Sequence, residues 1–217
     1  MEIPTVSPVV VDALSDATRR AALAALVESG ATVTIGELAE ALAQRSARWE
    51  PDTGTDRTDL RTALHHAHLP ALADAGGITF DPESGLVAVP SETPFDREWA
   101  ARLVADHPET SYDRVLDALA SGRRQLVVHR LLTGGPADDR ELAVAVAAHE
   151  RGVAPGEVPA SVAEVVELSL THTHLPALAD AGFIARTDEG TVAPEPMPWR
   201  SDPWVAASPI GEWAAAE

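Results

Sequence analysis

The chain has no cysteine, which excludes disulfides and thiolate metal sites. It has no lysine either: all 16 basic residues are arginine, against 34 acidic residues, for a formal net charge of −18. Aromatic residues make up only 4%, so the core must be built from small aliphatic side chains. No apolar run approaches the roughly 18 residues that a membrane span needs, and no membrane partner is expected. The opening stretch MEIPTVSP has neither a basic region nor a long apolar core, so no secretory signal is read there. A soluble, cytoplasmic protein is the expectation. The sequence also lacks a glycine-rich phosphate loop, an HExxH pattern and a cysteine nucleophile. No enzymatic activity, catalytic residue, cofactor or metal is therefore expected.

Acid excess, absent lysine, abundant alanine and few aromatics together resemble the proteins of extreme halophiles. Carboxylates keep a surface hydrated and soluble when molar salt screens their repulsion down to a few ångströms. The plainer alternative is an acidic protein from a GC-rich genome.

One string appears twice. HLPALADAG occupies residues 68–76 and again residues 174–182, at an offset of 106. Nine identical residues at a fixed spacing mean two copies of one domain. Each copy has roughly 90 to 100 residues, near the lower end of what folds alone. The expected division is residues 1–92 for the first copy, 93–111 for a linker helix, 112–193 for the second copy and 194–217 for a Pro/Trp-rich tail.

Within each copy the pattern gives three helices and a hairpin. A short helix (residues 9–14; 115–119) leads into one opened by an arginine pair, Arg19 and Arg20 or Arg123 and Arg124. Leu23, Leu26 and Val27 lie on its apolar face, matched to Val127, Arg130 and Leu131, with Arg130 at the edge. Thr34 with Glu37, and Asp138 with Glu141, have capping-box spacing and start the next helix. Polar, irregular insertions follow at residues 45–55 and 151–159. The third helix holds the repeated string. It starts near residues 56–58 in copy one and near Val162 in copy two, where Ser161 and Glu164 read as a cap. Pro70 and Pro176 fall inside it, and a bend is expected at His-Leu-Pro. Gly76 and Gly182 end it, and strand–turn–strand patterns follow. Between the copies, Thr93, Pro94, Phe95, Trp99 and Leu103 read as a capped helix.

Three helices followed by a two-stranded wing resemble the winged helix-turn-helix. The fold expected is mainly α with small β-wings, as tandem winged helix-turn-helix domains. The end of the third helix is similar to that in ArsR-type and MarR-type regulators. Both copies look still more like a winged-helix domain of unknown function widespread in haloarchaea, with an early Arg-Arg pair and a late H-L-P-x-L-x-x-A-G string. Arg19, Arg20, His68, Leu69, Pro70, Leu72, Ala75 and Gly76 match it, as do Arg123, Arg124, His174, Leu175, Pro176, Leu178, Ala181 and Gly182. The resemblance implies a structural frame and carries no activity of its own.

The expected partner is double-stranded DNA, in the manner of a transcriptional regulator. A third helix would lie in the major groove while the wing or a helix end meets phosphate. Arg57 and Arg61, four apart at the start of the copy-one helix, share a face and are the candidates for groove contact. Arg45 and Arg48 could reach the backbone. In copy two the same helix carries Glu164, Glu167 and Asp180 and no arginine, which opposes phosphate binding. The alternative is an interaction module that uses the same fold to bind a protein partner or a second copy of itself. His65, His66, His68, His172 and His174 raise a metal reading. His65 and His68 share a helical face, but the pattern favours His68 and His174 packing at the bend, each bonding a carbonyl freed by proline. Trp199, Trp204 and Trp213 are expected to cover an apolar surface of the second copy or to bind a partner.

The charge generates the first prediction. Self-repulsion at −18 should destabilise the protein at low ionic strength, so its melting temperature should rise as KCl goes from tens of millimolar to molar. A flat or falling profile in a salt-series melt would remove the halophile reading.

Overall fold

A computed structural model of the chain describes residues 5–49, 57–96, 98–106, 112–208 and 211. Contacts divide it into two units, Val9–Asp113 and Arg114–Glu217, the latter together with Met1–Pro8. Both are mainly helical with small antiparallel strand pairs, and each repeats the other's element order.

In the first unit α1 (Pro8–Leu14) and α2 (Ala17–Ser29) lead through β1 (Val33–Thr34) into α3 (Ile35–Trp49). The third helix begins with α4 (Arg57–Ala63), passes through a π-helical turn at Leu64–His68 and resumes as α5 (Leu69–Asp74). The hairpin β2 (Thr79–Asp81) and β3 (Leu86–Ala88) follows, with β1 added to its β3 edge in the order β1-β3-β2. α6 (Glu98–Asp106) closes the unit. The second unit runs α7 (Asp113–Leu119), α8 (Gly122–Gly134), α9 (Asp139–Arg151) and α10 (Ala160–Ser169), then a π turn at Leu170–His174 and α11 (Leu175–Asp180). Its hairpin is β4 (Ile184–Arg186) and β5 (Val192–Pro194), and α12 (Pro203–Ala206) follows it in the chain as α6 follows the first hairpin. The counterpart of β1 shrinks to one bridge, Ala137 to Val192.

The proline in the third helix produces a π turn in both copies. A proline ring clashes with the carbonyl four residues back and offers no N–H. Widening the preceding turn relieves that clash: Leu69 N–H bonds Leu64 O and Leu175 N–H bonds Leu170 O, five residues back. The helix therefore continues past Pro70 and Pro176. Both continuations stop in the same way. Gly76 and Gly182 adopt φ of 74° and 76°, a left-handed conformation that favours glycine. Their N–H groups bond Ala73 O and Ala179 O, while the next residues, Gly77 and Phe183, bond back to Leu72 O and Leu178 O.

The arginine pairs turn out to be one residue out of register. Arg19 donates to the carbonyls of Ala13 and Asp12, and its counterpart is Arg124, which donates to Ala118 and Asp117. Arg20 donates to Leu14 O, and its counterpart is Gln125, which donates to Leu119 O. Each clamp satisfies carbonyls left open at the end of the first helix. At this offset Leu26 matches Leu131, both 1% exposed, and Arg130 is not a face residue. Val27, expected in the core, is 58% exposed.

Arg20 and Gln125 are both fully buried, and each has a distinct partner. The Arg20 guanidinium lies 2.7 Å from Asp113 Oδ1. The Gln125 amide meets the backbone of Val6 at 3.0 Å in both directions, Val6 N–H to Oε1 and Nε2–H to Val6 O. The segment before α1 thus serves the second unit. Aromatic cover also recurs, because Trp99 and Trp204 are 4% and 1% exposed in α6 and α12. A Cβ at Gly77 would come within 2.5 Å of the Phe95 ring, so glycine makes room for that ring. In the second copy Phe183 occupies the matching position, and Trp199 packs on it at a centroid distance of 5.0 Å and on Trp204 at 6.2 Å. The Trp-rich tail covers the second unit over Trp199 and Trp204; Trp213 lies outside the described residues.

Both capping boxes form: Thr34 with Glu37, and Asp138 with Glu141. Two further expectations fail. Residues 45–49 continue α3 instead of looping, with residues 50–56 outside the described set. α10 starts at Ala160 with Pro159 as its cap and no side-chain cap bond, because Pro159 is already extended and its carbonyl accepts from Val162 and Ala163.

Gln125→Leu should remove about 2 to 4 kcal/mol of stability, because it strands the buried N–H and C=O of Val6 and the C=O of Leu119. Denaturant titration beside exposed Gln44→Leu checks this; equal midpoints for the two variants would deny the Val6–Gln125 contact any role.

Candidate nucleic-acid interface

The exposed side of α4 carries the predicted groove residues. Arg57 is 66% exposed and lies 3.4 Å from Glu40 Oε2, a loose surface pair. Arg61, also exposed, makes no hydrogen bond or ion pair to another described residue. Arg45 is more firmly held, 2.7 Å from Glu28 Oε2. The backbone of Arg48 lies in α3, but its side chain is outside the described residues. The helix face thus brings Arg57 and Arg61 together, while Arg45 answers to its own domain.

The matching face in the second unit is different in kind. Glu164 is exposed and Glu167 is held 3.2 Å from Arg140. Val165 and Leu168 stand 68% and 63% exposed beside them. The other arginines nearby are also engaged. Arg123 forms a paired contact with Glu150, at 2.6 and 3.0 Å, and reaches Ser169 Oγ at 3.0 Å. Arg186 binds Asp139 Oδ2 at 2.8 Å, which also accepts from Thr171 at 3.0 Å. The Arg186 bond holds the Asp139 carboxyl below the usual carboxylate range, against the opposing effect of burial. This trio ties the hairpin to α9 and to the π turn. The first unit places Ile35, His65 and Phe80 at the corresponding positions, and there His65 meets Phe80 edge-on at 5.7 Å. Sequence reading missed the trio. Its signal was a second aspartate, Asp139, beside the one the helix cap needs.

His68 and His174 sit at the end of each π turn, but not as expected. Neither Nδ1 bonds a carbonyl freed by proline; both atoms are buried without a hydrogen bond. His68 Nδ1 lies 3.4 Å from Asp16 Oδ1, close enough for attraction but poorly aligned for a bond. Burial lowers the pKa of His68, with Asp16 pulling upward and Arg19 downward. Burial also lowers that of His174, aided by Arg124 and Arg123 and opposed by Glu150. Pro176, Leu175, Ala179, Ile184 and Val192 line a cleft of about 160 Å³, below the size of ordinary small-molecule sites. Among the described residues no group of three or more His, Cys, Asp or Glu side chains is placed to hold a metal. No helix there is long and apolar enough to cross a membrane.

This duplicated unit defines a class before it defines a chemistry: a tandem of one small, mainly helical domain. Residues 11–88 and 116–193 each match one family, described as a domain of unknown function (DUF7344). The chain belongs to that family and carries its domain twice. No curated protein and no solved structure matches it. The family segments end before Trp99 and Trp204, so the structural repeat extends beyond them.

The lowered histidine pKa values set a pH dependence. Protonation favours the unfolded chain, so the contribution of each neutral histidine is full above the unfolded value and is lost as pH falls through the folded one. Stability should therefore decline as pH drops below about 6.5. His68→Gln with His174→Gln should flatten that decline between about pH 7 and about pH 5 in thermal melts. An equally steep decline in the double variant would remove these groups as its cause.

Proposed function

We propose that each repeat is a winged helix-turn-helix domain and that the chain is a DNA-binding transcriptional regulator of a halophilic archaeon. The order of helices, ending in a long third helix and an antiparallel hairpin, supports the fold assignment. The observation that carries the DNA reading is the exposed pair Arg57 and Arg61 on α4, the first held only loosely and the second by no described residue. A phosphate can displace Glu40 from Arg57 at little cost, because an exposed ion pair contributes little. The first repeat then makes the basic contacts, and the acidic, lysine-free composition supports the reading of a protein at work in molar salt.

A second reading applies to the second repeat alone. Its α10 exposes Val165 and Leu168 beside Glu164, a face suited to a protein and not to phosphate. On this reading the second repeat is an interaction module.

Fluorescence anisotropy with duplex fragments of genomic DNA in molar KCl tests the proposal. Arg57→Ala with Arg61→Ala should abolish binding, and Glu164→Gln should leave it intact or strengthen it. Equal losses from both variants would refute the division of labour. No binding of the wild type to any duplex would leave the interaction module as the reading.

A further inference from the structure

The joint between the third helix and the hairpin is closed by a ring in one repeat and left open in the other. In the first, Phe80 from the hairpin meets His65 on the helix edge-on, and Pro70 and Ala73 are half-buried. In the second, Arg186 holds the position of Phe80 and turns to Asp139 at 2.8 Å. What remains is the cleft of about 160 Å³ between α11 and the β4–β5 hairpin. Pro176 and Ala179, the counterparts of Pro70 and Ala73, line it and are exposed. Its other walls include Leu175, Ile184 and Val192. A cavity of about 150 Å³ with apolar walls accepts one benzene ring.

We infer that this cleft accepts one aromatic side chain of a partner protein, presented on an apolar segment that also carries arginine or lysine. This deepens the interaction-module reading of the second repeat and rests on it. Val165 and Leu168, 68% and 63% exposed, continue the surface away from the cleft. Positions 165, 168, 172 and 176 recur every three or four residues and share one face of the helix. The first repeat has Asp59 and Thr62 in place of Val165 and Leu168, so the apolar stripe belongs to the repeat with the open cleft. Charge selects the partner further. Glu164 and Asp180 lie four residues from Leu168 and Pro176, are exposed, and make no hydrogen bond or ion pair to another described residue. Unpaired carboxylates beside an apolar stripe favour a basic, apolar segment. Among the described residues no Phe, Tyr or Trp is exposed, which argues for a different protein over a second copy.

The first probe is benzylamine, a single ring carrying a cation, titrated into the methyl-labelled full chain in molar KCl. Saturable shifts are expected in the methyl signals of Leu175, Ile184 and Val192. They should disappear in Arg186→Phe, which copies the first repeat, and in Ala179→Leu, which narrows the cleft and keeps the Arg186–Asp139 pair. Melting curves confirm that both variants are folded. The second probe is a phage-displayed library of random peptides selected on the full chain. Recovered peptides should carry an aromatic residue with arginine or lysine nearby. Their affinity should fall at least about tenfold in Ala179→Leu, and likewise in Val165→Asp with Leu168→Thr. Absence of saturable shifts at the cleft methyls, or peptides bound equally by Ala179→Leu, overturns the aromatic acceptor. If those peptides still lose affinity in the Val165 and Leu168 variant, the interaction module stands without the cleft; if they lose none, it falls too. Dimers of the chain that Ala179→Leu abolishes would make a second copy the occupant and overturn the choice of partner.

Discussion

The fold depends on how a helix survives a proline in its middle. Without an N–H to give, Pro70 and Pro176 would ordinarily end the third helix halfway. A π turn at Leu64–His68 and at Leu170–His174 moves the obstructing carbonyl aside, and the chain resumes its helical course for six more residues. Everything downstream follows from that continuation. Leu69 and Leu72, or Leu175 and Leu178, reach the core; Gly76 or Gly182 ends the helix; and the hairpin departs from a fixed point. The turn also leaves His68 and His174 half-buried with Nδ1 covered and without a hydrogen bond, so helix continuity leaves a polar atom buried.

Arginine serves this protein mostly from within. With no lysine and a charge of −18, a guanidinium can be devoted to the end of a neighbouring helix, as Arg19 and Arg124 are, or to a carboxylate across the domain, as Arg123 and Arg186 are. A planar fork that donates to two carbonyls at once does what an ammonium cannot, which gives a physical reason for using arginine at these corners. The same economy bears on partners. A cation that closes its own domain is not available to phosphate, so an electrostatic reading must rest on the few that remain exposed, chiefly Arg57 and Arg61.

Local signals in the sequence were legible where one residue type decides the backbone. Thr34 with Glu37 and Asp138 with Glu141 named two helix starts, Gly76 and Gly182 named two ends, and alternation after them named the hairpins. The long apolar spacing of Phe95, Trp99 and Leu103 named buried positions in and beside α6, all 5% exposed or less. Pattern failed where two choices looked alike. Two adjacent arginines in each copy invited alignment on one another, yet the corner geometry pairs Arg20 with Gln125, because either side chain can donate to the final carbonyl of the first helix. Position 77 or 183 was likewise opaque. Glycine and phenylalanine are interchangeable there only because the aromatic ring can come from the cover segment, as Phe95, or from the helix end itself, as Phe183. The candidate site was half legible. Arg57 and Arg61 followed from spacing, whereas the pairing of Arg45 with Glu28 depends on how α2 and α3 pack.

The repeats share a frame and differ where the hairpin meets the third helix. In the first, an aromatic edge contact between His65 and Phe80 joins them; in the second, Asp139 accepts from both Arg186 and Thr171. These are physically distinct joints. A ring contact is insensitive to salt, while a partly exposed ion pair weakens as salt rises. Asp139 is 19% exposed at its side chain and Arg186 51%, so the second joint carries most of its screening on the arginine side and keeps the carboxylate sheltered. The bond from Thr171 to Asp139 does not rest on a second charge and so persists when salt screens the arginine. Duplication thus freed each copy to hold one geometry by different means.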